Sequence, residues 1–148
     1  MPVIVEGEER IAATVSAVWE ALNSPMVLNA CIPGCESLKK VSETAMEASI
    51  LLAIGPIKAK FVGGVEFLDI NPPNSYTIKG EGKGGIAGFA KGTAAVHLEG
   101  DGTGTVLSYR VTADVGGKIA QLGNRLIQST SKKLAGQFFS NFNKIVSA

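Results

Sequence analysis

The segment after Gly116-Gly117 constrains the fold more than any other part of the chain. It contains no proline, and its apolar residues recur with a 3.6-residue rhythm: Ile119, Leu122, Leu126, Ile127, Leu134, Phe138, Phe142 and Ile145. That rhythm predicts one long amphipathic helix of about 30 residues, roughly 45 Å from end to end. Such a helix buries its apolar stripe against a second layer, and the residues ahead of it supply one.

From Glu36 to Val115 the pattern has period two and is punctuated by turn residues, which predicts a meander of antiparallel strands. Met46, Ala48, Ile50, Leu52 and Ile54 form one apolar face. After Gly55-Pro56 the next strand places Ile57, Ala59, Phe61, Val65 and Phe67 inward, with Lys58, Lys60 and Glu66 outward. Asn71-Pro72-Pro73-Asn74 and Gly100-Asp101-Gly102 make later turns, and Leu107, Tyr109, Val111 and Ala113 line the inner face of the last strand. Ahead of the meander, Val3 to Ala12 reads as a strand with Glu6, Glu8 and Glu9 on a solvated face. Ser16 is the expected cap of a short helix carrying Val18, Trp19 and Leu22, and Ser24-Pro25 opens a second that ends at Pro33-Gly34. This order predicts an α+β helix-grip fold of the START-like, Bet v 1-like kind. A curved antiparallel sheet of about seven strands wraps a long C-terminal helix, with two short helices after the first strand. Length is consistent with a single domain over residues 1–148.

Composition narrows the functional classes. A net charge of +1 with one histidine lacks the clustered basic residues and interleaved aromatics of a nucleic-acid binder. The longest apolar stretch, Ser49 to Ile57, falls short of the roughly 20 residues that span a bilayer. The segment beginning at Met1 has no leader pattern, so the expected location is cytoplasmic, with peripheral contact at the inner membrane face. Charge is distributed unevenly: all 13 acidic residues lie at or before Asp114, whereas Lys118, Arg125, Lys132, Lys133 and Lys144 follow it. Lys118, Arg125 and Lys132 recur every seven residues and are expected to form one helical stripe, either a solvated face of the amphipathic helix or a surface that meets a partner or a membrane.

The motifs that could carry chemistry are weak. Gly80-Glu81-Gly82-Lys83-Gly84-Gly85 satisfies G-x-G-x-x-G, but strand rather than helix follows it, so a hairpin or close backbone approach to a ligand is the better reading. Cys31 and Cys35 lack metal-site spacing and read as structural thiols. His97 falls on the outer side of its strand, with no second histidine to share a metal. Glu6, Glu8, Glu9 and Glu47 form a solvated face rather than an acid/base pair. No cofactor, metal or catalytic residue is expected. What remains is a cavity between sheet and helix. Leu52, Ile54, Phe61, Phe89, Tyr109, Ile119, Leu122, Gly123, Leu126 and Ile127 are expected to surround a hydrophobic ligand, with Tyr109 and Thr130 as its few polar contacts. Gly123 is read as facing that space.

Four ordered blocks resemble the carbon monoxide dehydrogenase G-subunit family. They are Cys31-Ile32-Pro33-Gly34-Cys35-Glu36, Asn71-Pro72-Pro73-Asn74-Ser75-Tyr76, Gly85 through Gly92, and Val115 through Gly123. The resemblance implies the START-like (SRPBCC) fold. It further implies an accessory role beside molybdenum hydroxylases of the carbon monoxide dehydrogenase type, with a respiratory quinone as the handled small molecule. Two other readings stand beside this carrier. One is a cyclase- or hydrolase-like enzyme using Tyr109 as acid/base; the other is a ligand-free assembly factor.

Overall fold

The computed structural model describes residues 2–147; Met1, where the leader reading begins, and Ala148, where the domain reading ends, lie outside them. Seven strands form one antiparallel sheet in the order β1-β7-β6-β5-β4-β3-β2. They are β1 (Val3–Ile11), β2 (Cys35–Ser42), β3 (Ala45–Ile54), β4 (Ile57–Asn71), β5 (Ser75–Lys83), β6 (Phe89–Asp101) and β7 (Gly104–Gly116). Each of β2 to β7 pairs with the next, as a meander must, and β1 closes the far edge by pairing Val3 with Ala113 through to Ile11 with Thr105.

Two short helices, α1 (Val15–Leu22) and α2 (Pro25–Cys31), follow β1 as expected. Pro25 opens α2, with the Ser24 hydroxyl accepting from the Val27 N–H at 3.4 Å. The cap of α1 is Thr14 rather than Ser16: the Thr14 Oγ1 accepts from the Ala17 N–H at 3.2 Å, and Ser16 lies inside the first turn.

The long C-terminal helix, α3, runs over Asn124–Val146 and is 23 residues long, so it spans about 35 Å and not 45. The apolar rhythm is continuous across the break, but the backbone is not. Lys118–Leu122 forms a 3-10 turn, and Gly123 joins it to α3 with φ +95 and ψ 151, a region essentially reserved for glycine.

The main core sits at one end of the sheet. There Val18 and Leu22 of α1, Leu28 and Cys31 of α2, and Phe139 and Phe142 of α3 pack on Met46, Phe67, Tyr76, Val96, Leu98 and Leu107. Phe138 and Phe139 meet edge to face at 4.9 Å, and the Tyr109 ring stacks on Phe139 at 4.2 Å. The buried Tyr76 hydroxyl donates to the Leu22 carbonyl, and the buried Thr105 hydroxyl donates to Ala13 at 2.8 Å, so both polar groups tie the sheet to the α1 region. Cys31 and Cys35 are free thiols, and burial pushes both upward in pKa, away from the reactive thiolate.

Candidate functional site

Away from that core, the inner face of the sheet carries almost no bulk. Gly63, Gly80, Gly82 and Gly92, with Ala48, Ala90, Ala94 and Ala113, floor an apolar trough of about 320 Å³, and Ile50, Phe61, Val65, Ile78 and Val111 supply its larger walls. The ladder places these small residues opposite one another: Ala48 with Gly63, Gly63 with Gly82, Gly82 with Ala90, Gly80 with Gly92, and Gly92 with Ala113.

The glycines do different things. A Cβ on Gly63 would run into the Glu81 carbonyl oxygen, so this position lets neighbouring backbones close on each other. At Gly82 the nearest atom to such a Cβ is the Phe61 Cβ, 3.7 Å away, so a side chain fits there and the absence of one leaves open volume. The alternating glycines of the G-x-G-x-x-G stretch are therefore trough floor and hairpin, as a strand reading of that motif requires.

Of the ten residues expected around the ligand, the trough lining includes Phe61. Leu52, Ile54 and Ile119 pack beside it, with buried Ala87, in a small apolar cluster at one end of the trough. Ile127 packs against Val3, Val5 and Tyr109 under the opposite edge of the sheet. Leu126 and Leu122 lie over the β3–β4 turn, where a Cβ on Gly55 would meet the Leu126 Cδ2 at 2.9 Å. No described residue of α3, Thr130 included, is among the lining, because the helix commits its apolar side chains to the two flanking clusters.

Phe89 is a correction. It sits on the outer face, 39% exposed, with its ring where a Gly116 side chain would stand. It shares odd parity on β6 with the exposed His97, and even-numbered Ala90 faces the trough. Gly123 is a second correction. Space around it is open, but its positive φ makes any side chain a strain on the backbone. Gly123→Leu is expected to cost about 1 to 3 kcal/mol of stability rather than act on ligand uptake alone, as chemical denaturation will show.

The basic stripe is also redrawn. Lys118, Arg125 and Lys132 are all exposed, but Lys118 belongs to the 3-10 turn and Gly123 separates it from α3. Helical periodicity therefore relates Arg125 and Lys132 alone.

Burial and then the nearby Glu9 carboxylate push the Tyr109 hydroxyl above its ordinary pKa, the wrong direction for a base at neutral pH. Its hydroxyl lies against Gly7 and makes no hydrogen bond to a described residue. Among the described residues no group of three His, Cys, Asp or Glu side chains is placed to hold a metal. Two larger hollows of about 660 Å³ each lie on the outer face of the sheet. Glu6, Glu8, Asp69, His97 and Arg110 line the first, and Glu47, Glu66, Lys79, Glu81 and Lys91 line the second. Both are charged, solvated surfaces, whereas the smaller trough has the apolar character of a lipophile site.

A curved antiparallel sheet closed on one long helix, with an apolar trough left on its inner face, defines a helix-grip domain of the START-like, Bet v 1-like kind. The chain belongs to the carbon monoxide dehydrogenase G-subunit (CoxG) family, whose pattern it matches over residues 7–147. A conserved protein from Geobacillus kaustophilus superposes with a TM-score of 0.91 at 32% identity, covering 97% of this chain and 95% of that one. The Zhui aromatase/cyclase from Streptomyces sp. R1128 superposes at TM-score 0.73 and 10% identity, covering 99% of this chain and 94% of that one. Truncated norcoclaurine synthase from Thalictrum flavum gives 0.64 at 15% identity, with coverage of 99% and 94%. At those identities the two enzymes show the fold alone. No curated protein matches the sequence, and no helix among the described residues is long and apolar enough to cross a membrane.

Proposed function

We propose that the chain is an accessory carrier that holds a lipophilic small molecule in the trough. A quinone is the favoured ligand, and a molybdenum hydroxylase of the carbon monoxide dehydrogenase type is the partner it serves. The observation that carries this reading is the Gly/Ala floor at Gly80, Gly82, Ala90, Gly92 and Ala94, which leaves apolar volume on the inner face, while Glu81 and Lys91, which border the trough, alternate with these residues along their strands and so belong to the opposite face. Leu52, Ile54 and Ile119 would meet the ligand as the end wall beside Phe61. Family membership supports the choice of partner. The cyclase-like alternative relied on Tyr109 as its acid/base group, and Tyr109 is turned toward Gly7 of β1 and is not among the trough lining.

The volume sets a limit on the ligand. About 320 Å³ lies at the low end of small-molecule pockets. A compact ring fits, and a long tail runs out of the trough. Short-chain and long-chain quinones sharing one ring should therefore bind with similar affinity. The test is thermal denaturation with a quinone series, fatty acids and sterols. A ligand at about 100 times its Kd stabilises the fold by about 2.7 kcal/mol, an upward Tm shift of roughly 5 to 10 °C. No shift with any of them overturns the carrier reading.

A further inference from the structure

The sheet ends in two strands, β1 and β2, and the molecule treats their free edges differently. β1 is covered by α3. The Gln128 side-chain amide donates to the Ile4 carbonyl at 2.7 Å, and the Asn143 amide donates to the Arg10 carbonyl at 3.0 Å. Just past the strand, the Ala12 N–H donates to the Ser147 hydroxyl at 3.1 Å. β2 has no such cover. It pairs with β3 alone, and residues 36, 37 and 39–42 are exposed. Among the described residues, the backbone of residues 37–42 takes one bond from outside the ladder, from the Cys35 thiol to the Ser37 carbonyl at 3.4 Å. The N–H and C=O groups on the free side of β2 are otherwise left to solvent.

The side chains along this edge decide what can pair with it. Leu38 is half-buried against the main core, opposite Ala48 of the trough floor. Lys39 and Lys40 are exposed, and neither forms an ion pair among the described residues. The acid of the strand, Glu36, is already held by Lys60 at 3.1 Å. Glu47 stands opposite Lys39 on β3, one strand further from any incoming chain. Register shifts between Cys35 and Ser37 and between Lys40 and Ser42 leave Ser37 to Lys40 as the regular stretch open to a partner. Bulges and lysines of this kind keep an edge from pairing indiscriminately. A second copy is excluded on the same ground. Antiparallel self-pairing of Ser37–Lys40 in full overlap sets the lysines against Leu38 and Ser37. A slip of one residue sets Lys39 against Lys39, or Lys40 against a Glu36 that Lys60 already holds, so none of these registers supplies a free acid.

We propose that Ser37–Lys40 of β2 is a docking edge for an extended acidic segment of a partner protein, which joins the sheet as an added antiparallel strand. Only a polypeptide supplies the alternating N–H and C=O groups that the free edge lacks. Main-chain hydrogen bonds make the attachment, carboxylates opposite Lys39 and Lys40 select the sequence, and an apolar side chain opposite Leu38 extends the inner face. The inference deepens the carrier reading and rests on it for its purpose, the partner being the oxidoreductase that the carrier serves. The docked segment lies two strand spacings, about 10 Å, from Ala48 and the trough.

The probe is a capped peptide, Thr-Glu-Glu-Ile-Thr-Val. Run antiparallel to β2, it places its glutamates opposite Lys40 and Lys39 and its isoleucine opposite Leu38. A second peptide carries lysine in place of both glutamates. Binding to the full chain is followed at low salt by amide chemical shifts and by amide hydrogen exchange. The acidic peptide is expected to shift the amides of Ser37 to Val41 and to slow exchange at alternate residues of Ser37–Lys40, the mark of main-chain pairing. The double variant Lys39→Glu/Lys40→Glu should weaken the acidic peptide about ten-fold or more and gain affinity for the lysine peptide. Lys132→Glu/Lys133→Glu, equally exposed on α3, should leave acidic-peptide binding unchanged, which separates β2 from general charge attraction. Because Lys39 and Lys40 are exposed and outside the trough lining, their variant should keep both the Tm and the quinone-induced Tm shift. Absence of binding, shifts confined to other elements, unslowed exchange in β2, equal binding of the lysine peptide, or undiminished binding by Lys39→Glu/Lys40→Glu overturns the docking edge. Slowed exchange in β2 without peptide, in a dimer that forms with rising protein concentration, does so as well. Peptide binding without any quinone-induced shift overturns the carrier reading and leaves the edge standing, and a quinone-induced shift without peptide binding does the reverse.

Discussion

Phe142→Ala is expected to lower the unfolding free energy by about 3 to 5 kcal/mol, the largest loss from any single truncation in the chain. Phe142 is 0% exposed and is the largest of the fully buried side chains. It lies where α1, α2, α3 and the sheet converge, stacked on Phe138 with ring centroids 6.0 Å apart. The neighbours that would have to collapse into the vacated space are held from several directions. The sheet side is fixed by the β6–β7 ladder, and α2 is tied to α3 by the Asn141 side-chain amide donating to the Cys31 carbonyl at 3.1 Å. A site that relaxes poorly sits at the upper end of the cavity cost. Since a domain of this kind has about 5 to 15 kcal/mol in total, the loss approaches half of it, and Tm should fall by roughly 10 °C. Phe89→Ala, on the outer face, should cost about 1 kcal/mol or less. Urea titration of the two variants separates the cases. If both lose equally little, α3 is not gripped by the sheet in the way its burial implies.

That contrast also shows what the sequence could and could not reveal. The period-two pattern determined the strands and their facing, because a one-residue slip would have turned Phe61 and Phe67 outward and Lys58 and Lys60 inward. The same parity rule, applied from His97 back along β6, puts Phe89 outside; the aromatic identity of Phe89 misled the reading, although its position was legible. The break between the 3-10 turn and α3 was harder to see. Apolar spacing at Ile119, Leu122, Leu126 and Ile127 continues across it, and the signal that the helix starts late is the single residue Gly123. The trough was foreseen as a consequence of the fold, and of the residues named for it Phe61 is in its lining. Large side chains were taken to mark the cavity, whereas much of the trough floor is glycine and alanine. The visible clue was glycine at period two in β5, Gly80 and Gly82 with Gly84 just beyond, in a strand where glycine is otherwise a liability.

Gly82→Leu is expected to abolish ligand uptake while leaving the fold intact, and it is the sharpest test of where the ligand lies. The position is on the inner face, paired with Gly63 and Ala90 at the middle of the trough floor. Its backbone has no positive φ, and an added Cβ meets the Phe61 Cβ at an ordinary 3.7 Å. The new side chain therefore projects into open volume rather than into backbone, and leucine fills a substantial part of about 320 Å³. In a strand, glycine is less favourable than a branched or larger residue, and the leucine covers apolar surface that is otherwise wet, so stability should stay level or rise by about 1 kcal/mol. The quinone-induced Tm shift should disappear. Gly63→Ala provides the opposing control: there the Cβ strikes the Glu81 carbonyl oxygen, and stability should fall by roughly 3 kcal/mol. The pair dissociates two roles that look identical in the sequence, one glycine needed by the sheet and the other by the ligand. A folded Gly82→Leu protein that still shows the full ligand-induced shift would place the binding site outside the trough.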